Sequence, residues 1–191
     1  MQRLSPVAAR FESLAELRAY KGECQSFMSA PLPFTPAALA YVASLDLAYS
    51  GKATAKTPNL FPHNLTVHDR AGELNAQRVE SLLQDGLPKL PGRQQFISVL
   101  VEAHEAFNAL KLERFNEQAT VFSLEIGNYV PRFNWHRDDT AIITLRGPAT
   151  CWLPDERNTD AWQMMPQQSF NIWDQGIKHS GPSMNLSLIH I

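Results

Sequence analysis

Cysteine is scarce in this chain. Cys24 and Cys151 are the only two, and their spacing suits neither a zinc ribbon nor a disulfide framework. Such usage points to a reduced compartment. No apolar run approaches the roughly 20 residues that a bilayer-crossing helix needs. The opening residues, "MQRLSPVAARFESLAELRAYKGE", are mixed throughout and lack the apolar stretch of a secretory signal. Excess charge of one sign is missing too. A net charge of −2 and a pI near 6.3 leave no electrostatic footprint for nucleic acid. There is no internal repeat and no low-complexity tract. The expectation is a cytoplasmic protein with neither a nucleic-acid nor a membrane partner.

What is present is ordinary globular material. The 191 residues, 44% hydrophobic and 19% charged, suffice for one domain with a sizeable core. The period of the apolar positions divides that domain. Residues 1–117 read as a mainly helical support region, and residues 118–191 as a β-strand core. "SPVAARFESLAELRAY" opens with Ser5-Pro6 and carries Phe11, Leu14 and Leu17 at helical spacing. "TPAALAYVASLDLAYS" repeats the device with Thr35-Pro36. "KATAKTPNLFPHNLTVHDRAG" is punctuated by proline and reads as an irregular surface excursion. "ELNAQRVESLLQDG" predicts a short helix ended by Gly86. "PGRQQFISVLVEAHEAFNALKLERF" predicts the longest one, with Phe96, Val99, Leu100, Ala103, Phe107 and Leu110 on one face.

After Glu117 the period becomes two. "ATVFSLEIGNYV", "RFNWHRD", "TAIITLRG", "ATCWLP", "QSFNIWD" and "MNLSLIHI" are short runs separated by turn residues. The fold class predicted is α+β: a jelly roll in the C-terminal half, packed against N-terminal helices.

The chemistry concentrates in "RFNWHRDDTAIITLRGP". On a strand, alternate residues share a face, so His136 and Asp138 point one way while Trp135 and Arg137 point the other. An imidazole and a carboxylate so placed offer two adjacent ligands to one divalent ion. His179 in "DQGIKHSGP", far downstream, is the natural third. Two histidines and one carboxylate on one side of a metal leave the other positions open, an arrangement that suits Fe(II). An exposed hairpin end with a local hydrogen bond is the plain alternative, as is a turn histidine at His179.

This pattern resembles the HxD…H motif of the Fe(II)/2-oxoglutarate-dependent dioxygenases, whose fold is a double-stranded β-helix. "LEIGNYVPRFNWHRDDTAIITLRGPATCWLPDE" is also similar to a bacterial family of uncharacterised function with a Phe-His-x-Asp strand followed by "GPGTxWL". Here that element is "GPATCWL", Gly147 to Leu153. The resemblance runs from about Ser123 to the C-terminus. It implies iron held by His136, Asp138 and His179, with 2-oxoglutarate as cosubstrate and C–H oxidation of a small molecule or a protein or peptide side chain as the reaction.

One departure stands out. Many such dioxygenases bind the far carboxylate of 2-oxoglutarate with an arginine and a serine two residues apart on the last strand. In "MNLSLIHI" the corresponding pair is Asn185 and Ser187, and asparagine offers no charged, bidentate fork. Arg146 is the best substitute anchor, and Thr144, two residues before it, could assist. Tyr129, Trp135 and Trp152 are candidate wall residues near the pocket mouth, and Asp139 a turn cap or an acceptor that orients a ligand.

Elsewhere the plain reading prevails. Glu102, His104 and Glu105 belong to a solvated helix face, and Cys151 is a small buried hydrophobe. His63 and His68 are loop residues and candidate substrate contacts, and His190 faces away from the metal. A non-enzymatic metal-binding jelly roll holding zinc or iron remains the alternative to an oxygenase. A barrel without a cofactor, with structural histidines, is the third reading. Oligomeric state is not legible.

Overall fold

The structure, a computed structural model, describes residues 8–21, 27–50, 64–68, 74–119, 121–128, 133–135, 140–146, 149–153, 162–173, 178–180 and 185–190. In chain order the elements are β1 (Ala8–Arg10), α1 (Leu14–Ala19), β2 (Phe27–Pro31), α2 (Pro36–Ser50), β3 (Asn64–His68), α3 (Ala76–Gly86) and α4 (Arg93–Phe115). They continue with β4 (Val121–Asn128), β5 (Phe133–Trp135), β6 (Thr140–Arg146), β7 (Cys151–Trp152), β8 (Gln163–Met164), β9 (Ser169–Trp173), β10 (Lys178–Ser180) and β11 (Asn185–His190). The chain is a mixed α and β protein. It divides into two compact units, Met1–Leu32 with Gly127–His190, and Pro33–Ile126.

The first unit is built from two sets of strands. One runs β1-β2-β9-β6-β11, parallel between β1 and β2 and antiparallel elsewhere. The other, β5-β10-β7-β8, is wholly antiparallel. Side chains from both meet in one cluster of Phe27, Ile142, Ala149, Trp152 and Met165. Phe27 and Trp152 stack within it, ring centroids 4.8 Å apart and planes 16° from parallel. Asn171 on β9 pins neighbouring strands together. Its Nδ2 donates to the carbonyls of Ile142, Pro166 and Ser169, and its Oδ1 accepts from Ser29 Oγ at 2.8 Å. These partners, with two N–H groups shared among three carbonyls, offset the cost of burying the amide.

The N-terminal segment departs from the helix predicted for it. Residues 8–10 form β1, paired in parallel with Phe27–Ser29 of β2, and the helix starts only at Leu14. Ser13 is the working cap. Its Oγ accepts from Glu16 N at 3.1 Å, while the Glu16 carboxylate reaches back to Glu12 N at 2.7 Å. Leu14 and Leu17 are buried as predicted, and Phe11 packs on Tyr20. Strand β2 had no counterpart in the sequence reading. Its register partner lies on β9, more than a hundred residues downstream, and no local period reports such a pairing.

In the second unit the helices follow their sequence signals closely. Thr35 Oγ1 accepts from Ala38 N at 3.2 Å ahead of α2, and Asn75 Oδ1 accepts from Arg78 N at 3.0 Å ahead of α3. Helix α4 starts after Gly92, whose φ of 87° is left-handed, and stops at Asn116, also left-handed. Gly92 is required for a second reason. A Cβ there would collide with the Ala37 carbonyl oxygen of α2. The predicted face of α4, from Phe96 to Leu110, is buried, and Phe96 packs against Tyr41, whose hydroxyl donates to Pro88 O at 2.9 Å. One stretch read as irregular is ordered as β3, antiparallel to β4 from Asn64↔Glu125 to His68↔Val121. Its Asn-Leu-Thr-Val-His alternation was the local signal. Among the described residues, no helix is long and apolar enough to cross a membrane.

Candidate functional site

Of the three candidate ligands, His179 falls among the described residues, while His136 and Asp138 lie outside them, as do Asp139 and Tyr129. His179 is the middle residue of β10 and only 4% exposed. It is held from both sides, with Asn134 of β5 opposite on one edge and Trp152 of β7 on the other. Directly opposed residues of antiparallel strands share a face of the sheet. Trp152 is 2% exposed and stacked on Phe27, so the face that His179 shares with it is the one turned to the first unit's core. Trp152 is therefore a core residue beside His179. Trp135, the other described wall candidate, is the Cα partner of Lys178, the residue before His179.

The candidate cosubstrate residues sit on β6 and β11. Thr144 is fully buried, and its Oγ1 has no hydrogen-bond partner among the described residues. Its Cα partner is Leu188, whereas Arg146 is opposite Ser187, and the register shifts between those two pairs. The strict alternation that would link Arg146 to Thr144 is interrupted at that irregularity. Asn185 opens β11, and His190 at its far end is opposite Ile142.

A residue the sequence reading passed over is Thr150. It is 1% exposed, and its Oγ1 is likewise without a partner among the described residues. The signal was available in "GPATCWL", where alternation puts Thr150 on the face of Trp152. Such buried orphan hydroxyls are rare, because each forfeits its hydration for nothing in return. Both suit a polar guest.

Among the described residues, no group of three or more His, Cys, Asp or Glu side chains gathers. A buried imidazole at His179 and orphan hydroxyls at Thr144 and Thr150 are nonetheless the donor types that a metal with an organic-acid cosubstrate needs.

Cys151, between Thr150 and Trp152 on β7, and His104, in the second unit, both have shifted pKa values. Cys151 is half-buried, its thiol 3.9 Å from Ala149 O, and burial raises its pKa. His104 corrects the solvated helix face expected for it, being fully buried in the second unit. Asn108 Nδ2 lies 3.0 Å from its Nε2 and donates to Leu74 O at 3.2 Å, while Asn108 Oδ1 accepts from Ala119 N at 2.8 Å. Phe122 meets the imidazole edge-on. Burial lowers the His104 pKa, against weaker opposing pulls from the Leu74 carbonyl and Glu105.

No protein-family model matches the chain, and no curated protein sequence does. Solved structures do match. A rice dioxygenase for auxin oxidation superposes with a TM-score of 0.50 at 13% identity, over 93% of this chain and 76% of that one. The likeness is one of fold. A 2OG-Fe(II) oxygenase-family oxidoreductase from Burkholderia pseudomallei gives 0.43 at 15% identity, over 96% and 93% of the two chains. The auxin-oxidation dioxygenase of Arabidopsis thaliana, solved as a 2-oxoglutarate binary complex, gives 0.44 at 9% identity, over 98% and 91%.

Proposed function

We propose that the chain is an Fe(II)- and 2-oxoglutarate-dependent oxygenase, one functional domain built on a double-stranded β-helix. Its reaction is hydroxylation or a related C–H oxidation of a small molecule or a protein side chain. The observation that carries this reading is the register of β5 on β10. Asn134 is opposite His179, and His136 and Asp138 follow Asn134 at two-residue steps. On this proposal His136 and Asp138 share the face of His179, as the alternation of an extended strand would have it.

His136, Asp138 and His179 would hold the iron, which when bound supplies the activation of dioxygen that side chains lack. The chain's own contribution is burial and orientation. Phe27, Ile142, Trp152 and Met165 keep the interior beside His179 apolar, which strengthens every polar contact made there. Thr144, Arg146, Asn185, Ser187 and Tyr129 are the proposed cosubstrate contacts, with Arg146 supplying the positive charge that Asn185 does not.

The test is metal stoichiometry followed by turnover. The chain reconstituted anaerobically with Fe(II) should bind about one ion and then convert 2-oxoglutarate to succinate in air, even without a prime substrate. Metal bound without decarboxylation would return the non-enzymatic metal-binding reading. No bound metal would remove both.

A further inference from the structure

We infer that Thr150, together with Thr144, forms a hydroxyl pair that grips a carboxylate of an organic acid bound inside the first unit. The inference rests on the oxygenase reading and adds to it a residue that no other observation assigns.

Four observations place the pair. Thr150 extends the β7–β8 ladder beyond Cys151↔Met164, since its carbonyl accepts from Met165 N at 2.9 Å. Opposed residues share a face, so Thr150 lies on the side of Met165, a member of the core cluster. Thr144 is two residues from Ile142, another member, on the β6 stretch before the register shift. Finally, the Thr144 carbonyl accepts from Gln168 N at 2.8 Å. One short turn, Met165 to Gln168, therefore ties down both threonine backbones. It brings a hydroxyl from each sheet to the same end of the interior.

The chemistry of the pair selects its guest. Each hydroxyl is buried, lacks a partner among the described residues, and can donate one hydrogen bond. Two such donors match the two oxygens of one carboxylate, and the surrounding Ile142, Ala149 and Met165 exclude water from the contact. Thr150 precedes Trp152, the cross-strand partner of His179, by two residues, a step of about 7 Å along the strand. A four- or five-carbon diacid spans that step, with one end left toward His179.

The experiment measures dissociation constants for 2-oxoglutarate and succinate by calorimetry, with Mn(II) as a redox-silent stand-in for iron and again without metal. Thr150→Val and Thr144→Val remove the hydroxyl and keep the branched shape. Each should weaken 2-oxoglutarate by about tenfold or more, the worth of a hydrogen bond to a charged group. Thr150→Ser, which keeps the hydroxyl, should restore affinity. The melting temperature of the ligand-free Val variants should hold or rise, because an orphan polar group has gone. Unchanged 2-oxoglutarate affinity in Thr150→Val overturns the inference, as does a loss that Thr150→Ser fails to rescue. A chain that binds no metal but binds succinate in a Thr150-dependent way upholds the pair and sinks the oxygenase reading. A chain that takes metal but no dicarboxylate overturns both, whereas metal and 2-oxoglutarate bound with unchanged affinity in both Val variants overturns the pair alone.

Discussion

His179 and Trp152 stand directly opposite one another across β10 and β7, and Trp152 lies flat against Phe27 at 4.8 Å. The candidate ligand thus shares its rung of the ladder with a stacked ring of the core. Removing that ring should cost roughly 3–5 kcal/mol of stability, the usual toll of truncating a buried aromatic. Trp152→Ala should also weaken metal binding by displacing His179, while Trp152→Phe should retain much of both. Urea unfolding and metal titration on the two variants check this.

His136→Ala, Asp138→Ala and His179→Ala should each abolish iron binding while circular dichroism reports a retained fold. A variant with unchanged metal affinity would strike its residue from the ligand set. The site then has to be sought elsewhere.

Arg146→Ala should raise the 2-oxoglutarate dissociation constant and spare the metal. The register shift between Ser187 and Leu188 gives this test its interest, because it breaks the simple alternation from Thr144. Asn185→Arg is the complementary variant, and tighter cosubstrate binding is its expected result. Unaltered affinity in Arg146→Ala would leave the charge to another residue.

His104 predicts a pH dependence. Its pKa is lowered in the folded chain, so the unfolded chain takes up the proton more readily. The neutral imidazole's contribution is fully present above the unfolded value of about 6.5 and is lost as pH falls through the folded value below it. Thermal midpoints should therefore drop between about pH 7 and pH 5, and His104→Gln should flatten that slope. Parallel slopes for the two proteins would show that other groups dominate the window.

Gly92→Ala should be among the most damaging single-methyl additions in the second unit. The left-handed backbone and the collision with Ala37 O act together, and neither can be relieved by a side-chain rotation. A loss of roughly 2–5 kcal/mol is expected, read as a fall in the denaturation midpoint.

Helices α3 and α4 were legible because their information is local. Asn75, Gly86 and the apolar spacing from Phe96 to Leu110 specify a start, a stop and a buried face without reference to anything distant. Strands β4, β6, β9 and β11 were legible for the same reason, through their period of two. The N-terminal segment was misread because Ser5-Pro6 and Ser13 both look like caps, and only the pairing of residues 8–10 with β2 decides between them. His104 was misread because Glu102 and Glu105 flank it with charge, while its burial depends on Leu74, Asn108 and Phe122, which reach it from other parts of the chain.

By itself, then, the sequence determined which residue types could do chemistry, and in what alternation. The HxD spacing, the lone downstream histidine and the missing arginine are all properties of short strings. What only the tertiary structure decided is which strand lies beside which. The pairing of β5 and β7 with β10, and the placing of Thr144 and Thr150 at one turn, arise from contacts between segments far apart in the chain. Such contacts are chosen by the burial of Phe27, Ile142, Trp152 and Met165 as a group, and a collective free energy leaves no mark on any single stretch of residues.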